Sequence, residues 1–118
     1  MSKDLSISML MDFYGQLLTE KQRITLDLYY NQDYSLSEIA EYADITRQGV
    51  RDSIKRGEKQ LSDFEQTLGL AGRFMDISAD FKEMEILIKD IKNRTLDKNI
   101  TQDIAKLEQL SEKIKENL

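Results

Sequence analysis

A chain of 118 residues without a cysteine or a histidine has no disulfide framework, no thiol nucleophile and neither the usual general base nor the commonest metal ligand. No glycine-rich phosphate loop of the GxxxxGK type occurs either, so we expect no enzymatic activity and no cofactor or metal. The length fits one domain or one domain with an appendage, and a formal net charge of −5 argues against indiscriminate binding to nucleic acid.

With no proline and only five glycines, long helices can run uninterrupted, and the expected fold class is all-α. Met1-Ser2-Lys3-Asp4-Leu5 is not the start of a secretory signal, because no basic segment leads into an apolar run. No apolar stretch reaches the roughly 20 residues that span a bilayer. A cytoplasmic protein that does not insert into membranes is therefore expected.

Apolar steps of three and four predict a first helix over about 4–14, which Gly15 weakens or ends. Thr19 caps a second helix, with Gln22 at the reciprocal position of a capping box. That helix turns Ile24, Leu26, Leu28 and Tyr29 inward and ends in the turn Asn31-Gln32-Asp33-Tyr34. Ser35 and Glu38 form a second capping box ahead of a helix that buries Leu36, Ile39, Ala40 and Ala43. The small Ala40 lets the next helix approach, and Asp44 suits a sharp left-handed turn. Thr46 caps a fourth helix with Val50, Ile54, Leu61, Phe64 and Leu68 inward, and Gly69 stops it.

Beyond Gly69 the pattern becomes a strict heptad seam of Phe74, Ile77, Phe81, Met84, Ile88 and Ile91. It breaks over 94–99 and resumes at Ile100, Ile104, Leu107, Ser111, Ile114 and Leu118, where Ser111 is the single polar member. Two such helices around a short break predict an αα-hairpin whose narrow stripes need a partner, either each other or a second chain. The expected organisation is a helix-turn-helix domain over 1–69 and a hairpin over 70–118 that serves dimerisation through Phe74, Ile77, Phe81, Met84, Ile88 and Ile91.

The segment from Leu36 to Arg56 reads as two short helices about a tight turn. Its charge switches sign where the second helix begins. Residues 1–45 carry three basic and eight acidic side chains, residues 46–60 five basic and two acidic, and residues 61–118 nine basic and twelve acidic. A phosphate-binding surface needs local positive potential rather than a basic protein overall, and the 46–60 segment alone supplies it. In a helix-turn-helix the second helix lies in the major groove with its first residues at base edges. Arg47 and Gln48 then suit base contacts, Arg forking onto guanine and Gln onto adenine. Arg51 is placed to read a base or hold a phosphate, and Lys55, Arg56 and Lys59 to hold phosphates. Thr46 and the helix N-terminus can also meet a phosphate.

A solvated face would account for the same four-residue spacing, but such faces usually mix signs and this one is nearly all positive. Asp52 either accepts from a cytosine amino group or repels the backbone, and the sequence leaves both open. Tyr29, Tyr30 and Tyr34 suit a core or bracing role better than a stacking platform for single-stranded bases.

These residues resemble known families. The run from Leu18-Thr19-Glu20-Lys21-Gln22-Arg23 to Leu61 resembles the DNA-reading region 4 of bacterial sigma factors. Asp12-Phe13-Tyr14, Leu28-Tyr29-Tyr30, Asp33-Tyr34-Ser35-Leu36, Glu38-Ile39-Ala40-Glu41, Thr46-Arg47-Gln48 and Ile54-Lys55-Arg56 are more similar to the YlxM family of small helix-turn-helix proteins of Gram-positive bacteria. The likeness covers about the first 65 residues well and the tail in character. It implies an all-helical, DNA-binding regulatory protein.

The family's genes often neighbour that of the signal recognition particle GTPase. The resemblance thereby implies a link to that pathway, through regulation of its genes or as an adaptor binding its RNA or protein. Asp52 is shared with the family, whereas Gly49 stands where the family usually has alanine. A mid-helix glycine costs about 1 kcal/mol relative to alanine. The leading expectation is a homodimeric regulator of duplex DNA.

Overall fold

Local hydrogen bonding sets where each helix starts. The computed structural model describes residues 6–118, and these form six α-helices with one 3-10 turn. The first, α1 (Ile7–Tyr14), begins after Ser6, whose hydroxyl accepts from the Met9 N–H at 3.2 Å. Asp4 and Leu5, expected in this helix, lie outside the described residues. Gly15–Leu17 is the 3-10 turn, and α2 (Glu20–Tyr30) follows the Thr19 cap.

Only half of the first expected capping box forms. Thr19 accepts from the Gln22 N–H, but the Gln22 carbonyl takes the Thr19 hydroxyl proton at 3.2 Å rather than the cap N–H. A hydroxyl accepts and donates at once, so it satisfies both bonds locally. At α3 (Leu36–Ala43) the box is complete, with Ser35 N–H on Glu38 Oε1 at 2.9 Å and Glu38 N–H on Ser35 Oγ at 3.0 Å. Asp44 takes the left-handed conformation (φ 56°, ψ 46°), which turns the chain into α4 (Arg47–Leu68). Thr46 caps α4 through the Gly49 N–H at 3.0 Å, and Gly69 ends it at φ 63°.

Helices α1, α2 and α3 all pack against α4. Leu10, Tyr14, Leu26, Ile39, Val50 and Leu61 are the largest fully buried side chains of this unit. Gly57 makes the closest approach possible, since a Cβ there would lie 2.7 Å from Leu26 Cδ1. Phe64 is half-buried and Leu68 exposed, so the apolar face of α4 opens towards its end. Ile24, Leu36 and Ala43 are half-buried, and Tyr29 reaches solvent.

The end of α4 is locked by one carboxylate. Glu65 accepts from the Tyr14 hydroxyl and, across the Gly69 turn, from the N–H groups of Ala71 at 3.0 Å and Gly72 at 2.9 Å. Tyr14 Oη accepts in turn from the Leu70 N–H at 2.9 Å. The first turn of α5 (Leu70–Arg94) is thus capped from α1 and α4. The described residues divide into two compact units, the first ending at Gly72 and the second beginning at Arg73, and this capping ties Leu70–Gly72 to the first unit.

The second unit, Arg73–Leu118, is an αα-hairpin of α5 and α6 (Lys98–Glu116). Asp97 caps α6 through the Asn99 and Ile100 N–H groups at 2.8 and 3.4 Å. Lys92–Glu108 at 3.2 Å and Glu85–Lys115 at 3.3 Å bridge the two helices, and their order fixes an antiparallel register.

Phe81, Ile104 and Ser111 are buried, and the Ser111 hydroxyl has no hydrogen-bond partner among the described residues. Of the other residues expected in the dimerisation seam, Phe74 and Ile88 are half-buried, while Ile77, Met84 and Ile91 are 43, 48 and 44% exposed. In this hairpin much of each stripe therefore still faces outward, Ile100, Leu107 and Ile114 of α6 included. Among the described residues no helix is long and apolar enough to cross a membrane.

Burial pushes the Glu65 carboxyl up, but the Tyr14 hydroxyl and the Gly72 and Ala71 N–H groups outweigh it and hold the group below its ordinary value of 4.5. A carboxylate depressed in the folded state stabilises fully above the unfolded value and loses that contribution as pH falls through the folded one. Wild type should therefore weaken in urea below about pH 4.5, and Glu65→Gln should flatten that part of the stability profile. At neutral pH Glu65→Ala should cost about 2–3 kcal/mol, by orphaning a buried hydroxyl and two amides.

Candidate nucleic-acid interface

The inward face of α4 is Val50, Ser53, Ile54, Gly57 and Leu61, all buried. Helical spacing then sends the remaining positions outward, and Thr46, Arg47, Gln48, Arg51, Lys55, Arg56 and Lys59 are all exposed. Arg47, Arg51, Lys55 and Lys59 form one stripe at four-residue steps, and Gln48, Asp52 and Arg56 form the stripe beside it. Leu36, at the start of α3, joins Arg47, Gln48 and Arg51 around a shallow cleft. The α3–turn–α4 unit thus presents the first turns of α4 as a ridge, with α3 packed behind.

Among the described residues Arg47, Arg51, Lys55 and Arg56 take no carboxylate within ion-pair distance. Lys59 differs. Its ammonium meets Asp63 at 3.0 Å with both side chains more than half exposed, and such a pair contributes little and is readily exchanged.

Of the two acidic residues of the segment, Asp52 is engaged by a neutral partner. Asp52 accepts from Gln48 Nε2 at 2.9 Å. Glu58 lies beside Tyr30, a half-buried side chain whose phenol is pushed up to about 12 by burial first and then by Glu58. Tyr30 packs edge-to-face on Tyr29, with ring centroids 5.0 Å apart at 89°. These rings line a pocket with Leu36, Arg51, Ile54, Lys55 and Glu58, bracing α2 against the middle of α4.

The α2–α3 turn is held as firmly. Asp27 accepts from Asn31 Nδ2 at 2.8 Å and from Gln32 Nε2 at 2.9 Å, which keeps its carboxyl below the ordinary value. Gly49 lies against the cap, where a Cβ would sit 3.2 Å from Thr46 Oγ1 and 3.6 Å from Ile45 Cδ1.

Two features of this ridge escaped sequence reasoning: the close seat of Gly57 against Leu26, and the hydrogen bond by which Asp52, left open between two roles, holds Gln48. Only the second has a local signal, the i, i+4 spacing of an amide and a carboxylate.

A left-handed Asp44 turn between a boxed α3 and a Thr-capped α4 with an exposed basic ridge defines a helix-turn-helix protein. The family model described as "Putative helix-turn-helix protein, YlxM / p13 like" (UPF0122) matches residues 1–117. A UPF0122 protein of Acetivibrio thermocellus is 46% identical over 116 residues, covering 98% of this chain and 97% of the relative. UPF0122 proteins of Clostridium perfringens and Oceanobacillus iheyensis are 45% and 39% identical, each covering 93% of this chain and 97% and 98% of the relative. The chain belongs to the YlxM/p13-like helix-turn-helix family.

Proposed function

We propose that the protein is a non-enzymatic regulator that reads duplex DNA through the first turns of α4, in the manner of sigma region 4, and that it works as a homodimer. The observation that carries the reading is the exposed, unpaired row of Arg47, Arg51 and Lys55 beside Gln48. Arg47 and Gln48 face base edges, Arg51 a base or phosphate, and Thr46, Lys55, Arg56 and Lys59 the phosphates.

Selection from random duplex DNA tests this. The expected product is an inverted repeat with half-sites about one helical turn apart. The regulated genes, those of the signal recognition particle pathway among them, would be sought by that motif. Absence of any enriched motif would favour the alternative, an adaptor that brings the basic ridge to RNA or protein of the targeting particle. The acidic surplus on both sides of residues 46–60 is the feature that favours that alternative.

On the selected duplex, Arg51→Ala should weaken binding about tenfold, measured by fluorescence anisotropy. If each subunit neutralises about four phosphates, the log–log salt slope should be about −3.6 per subunit.

The homodimer is supported by the apolar side chains that the hairpin leaves exposed. Phe81 lies inside the hairpin, so replacing it would unfold the unit rather than probe pairing. Met84 is the sharper probe, because it is 48% exposed. Met84→Asp should convert a dimer to a monomer in light scattering while helix content holds, and a wild-type monomer would refute the pairing.

A further inference from the structure

Asp52 is the single acidic side chain in the first two turns of α4, where a negative charge opposes phosphate binding. It is exposed, and among the described residues no cation lies within ion-pair distance of it. Its hydrogen-bond partner is Gln48, whose Nε2 donates to Oδ1 at 2.9 Å from one turn earlier.

That contact has a directional consequence. A glutamine amide has two nearly isosteric ends, a carbonyl that accepts and an NH2 that donates. An exposed glutamine with no neighbour turns either end outward. A carboxylate only accepts, so Asp52 draws the NH2 end towards itself. The carbonyl oxygen and the second N–H of Gln48 are left to face the groove. Adenine offers a matching pair on its major-groove edge, the N6 amino donor beside the N7 acceptor. Guanine offers two acceptors there, O6 and N7, and would set a lone pair against the Gln48 carbonyl.

We propose that Asp52 is a positioning residue which fixes the Gln48 amide so that the protein selects adenine over guanine at the base Gln48 meets. The inference rests on the reading of α4 as a DNA-contacting helix and deepens it. It also gives a reason for a carboxylate on a basic face: some phosphate attraction is lost and base discrimination is gained.

Parallel selections from random duplex DNA with wild type, Gln48→Ala, Asp52→Ala and Asp52→Asn test the proposal, followed by affinities for the selected site with A or G at the position concerned. That position is the one whose preference Gln48→Ala abolishes. Asp52→Ala should flatten the A-over-G preference there by about five- to tenfold while raising overall affinity at low salt. Asp52→Asn removes the charge and can offer Gln48 either an accepting oxygen or a donating NH2, so it should raise affinity equally and keep only part of the preference, between wild type and Asp52→Ala. Both positions are exposed, and circular dichroism should show unchanged helix content.

If both Asp52 variants gain affinity with the preference intact, Asp52 is only a charge and the proposal falls. If Gln48→Ala changes no position, it falls as well, while DNA reading stands. A wild type that selects nothing overturns both this inference and the DNA reading beneath it.

Discussion

The first unit depends on how closely α4 can lie on α2. Gly57 leaves room for Leu26, which is fully buried, and a Cβ at 57 would lie 2.7 Å from Leu26 Cδ1, so that the leucine would have to shift. Because α1, α2 and α3 share α4 as their packing partner, the inward face of α4 is common to the whole core. It also sets the exposure of the opposite face. With Val50, Ile54 and Leu61 drawn inward, the geometry of a 3.6-residue turn puts Arg47, Arg51 and Lys55 outside.

Charge on the α4 face follows a consistent logic. Among the described residues Arg47, Arg51, Lys55 and Arg56 have no acidic partner within ion-pair distance, Lys59 meets Asp63, and Asp52 is matched to the Gln48 amide. A neutral partner satisfies Asp52 without consuming the positive potential, and the arginines stay open to an outside anion. The opposite arrangement holds at Glu65, where the carboxylate is sunk into a junction of a hydroxyl and two backbone N–H groups and serves the fold alone.

Much of this was legible in the sequence because it is local. The caps at Thr19, Ser35 and Thr46, the left-handed Asp44 and the Gly69 stop each follow from hydrogen bonds within three or four residues, and each stands where expected. The heptad stripes announced the hairpin for the same reason. What stayed hidden is non-local: Tyr14 and Glu65 are 51 residues apart, and the Gly57–Leu26 seat exists only once two helices meet. The capping box at Gln22 formed only in part because a hydroxyl offered a competing partner. In the hairpin, periodicity identified the stripes but not which members two helices alone can bury. Phe81 and Ile104 are inside, whereas Met84 and Ile91 are not.

In the proposed function the first turns of α4 are the surface that meets duplex DNA. Nuclear magnetic resonance titration of the full chain with a short duplex at low salt tests it most directly. Amide shift changes should concentrate over Thr46–Lys55 and fade as salt rises, with the amides of Arg73–Leu118 unmoved. Shift changes confined to the hairpin, or none in α4 at any salt, would contradict it.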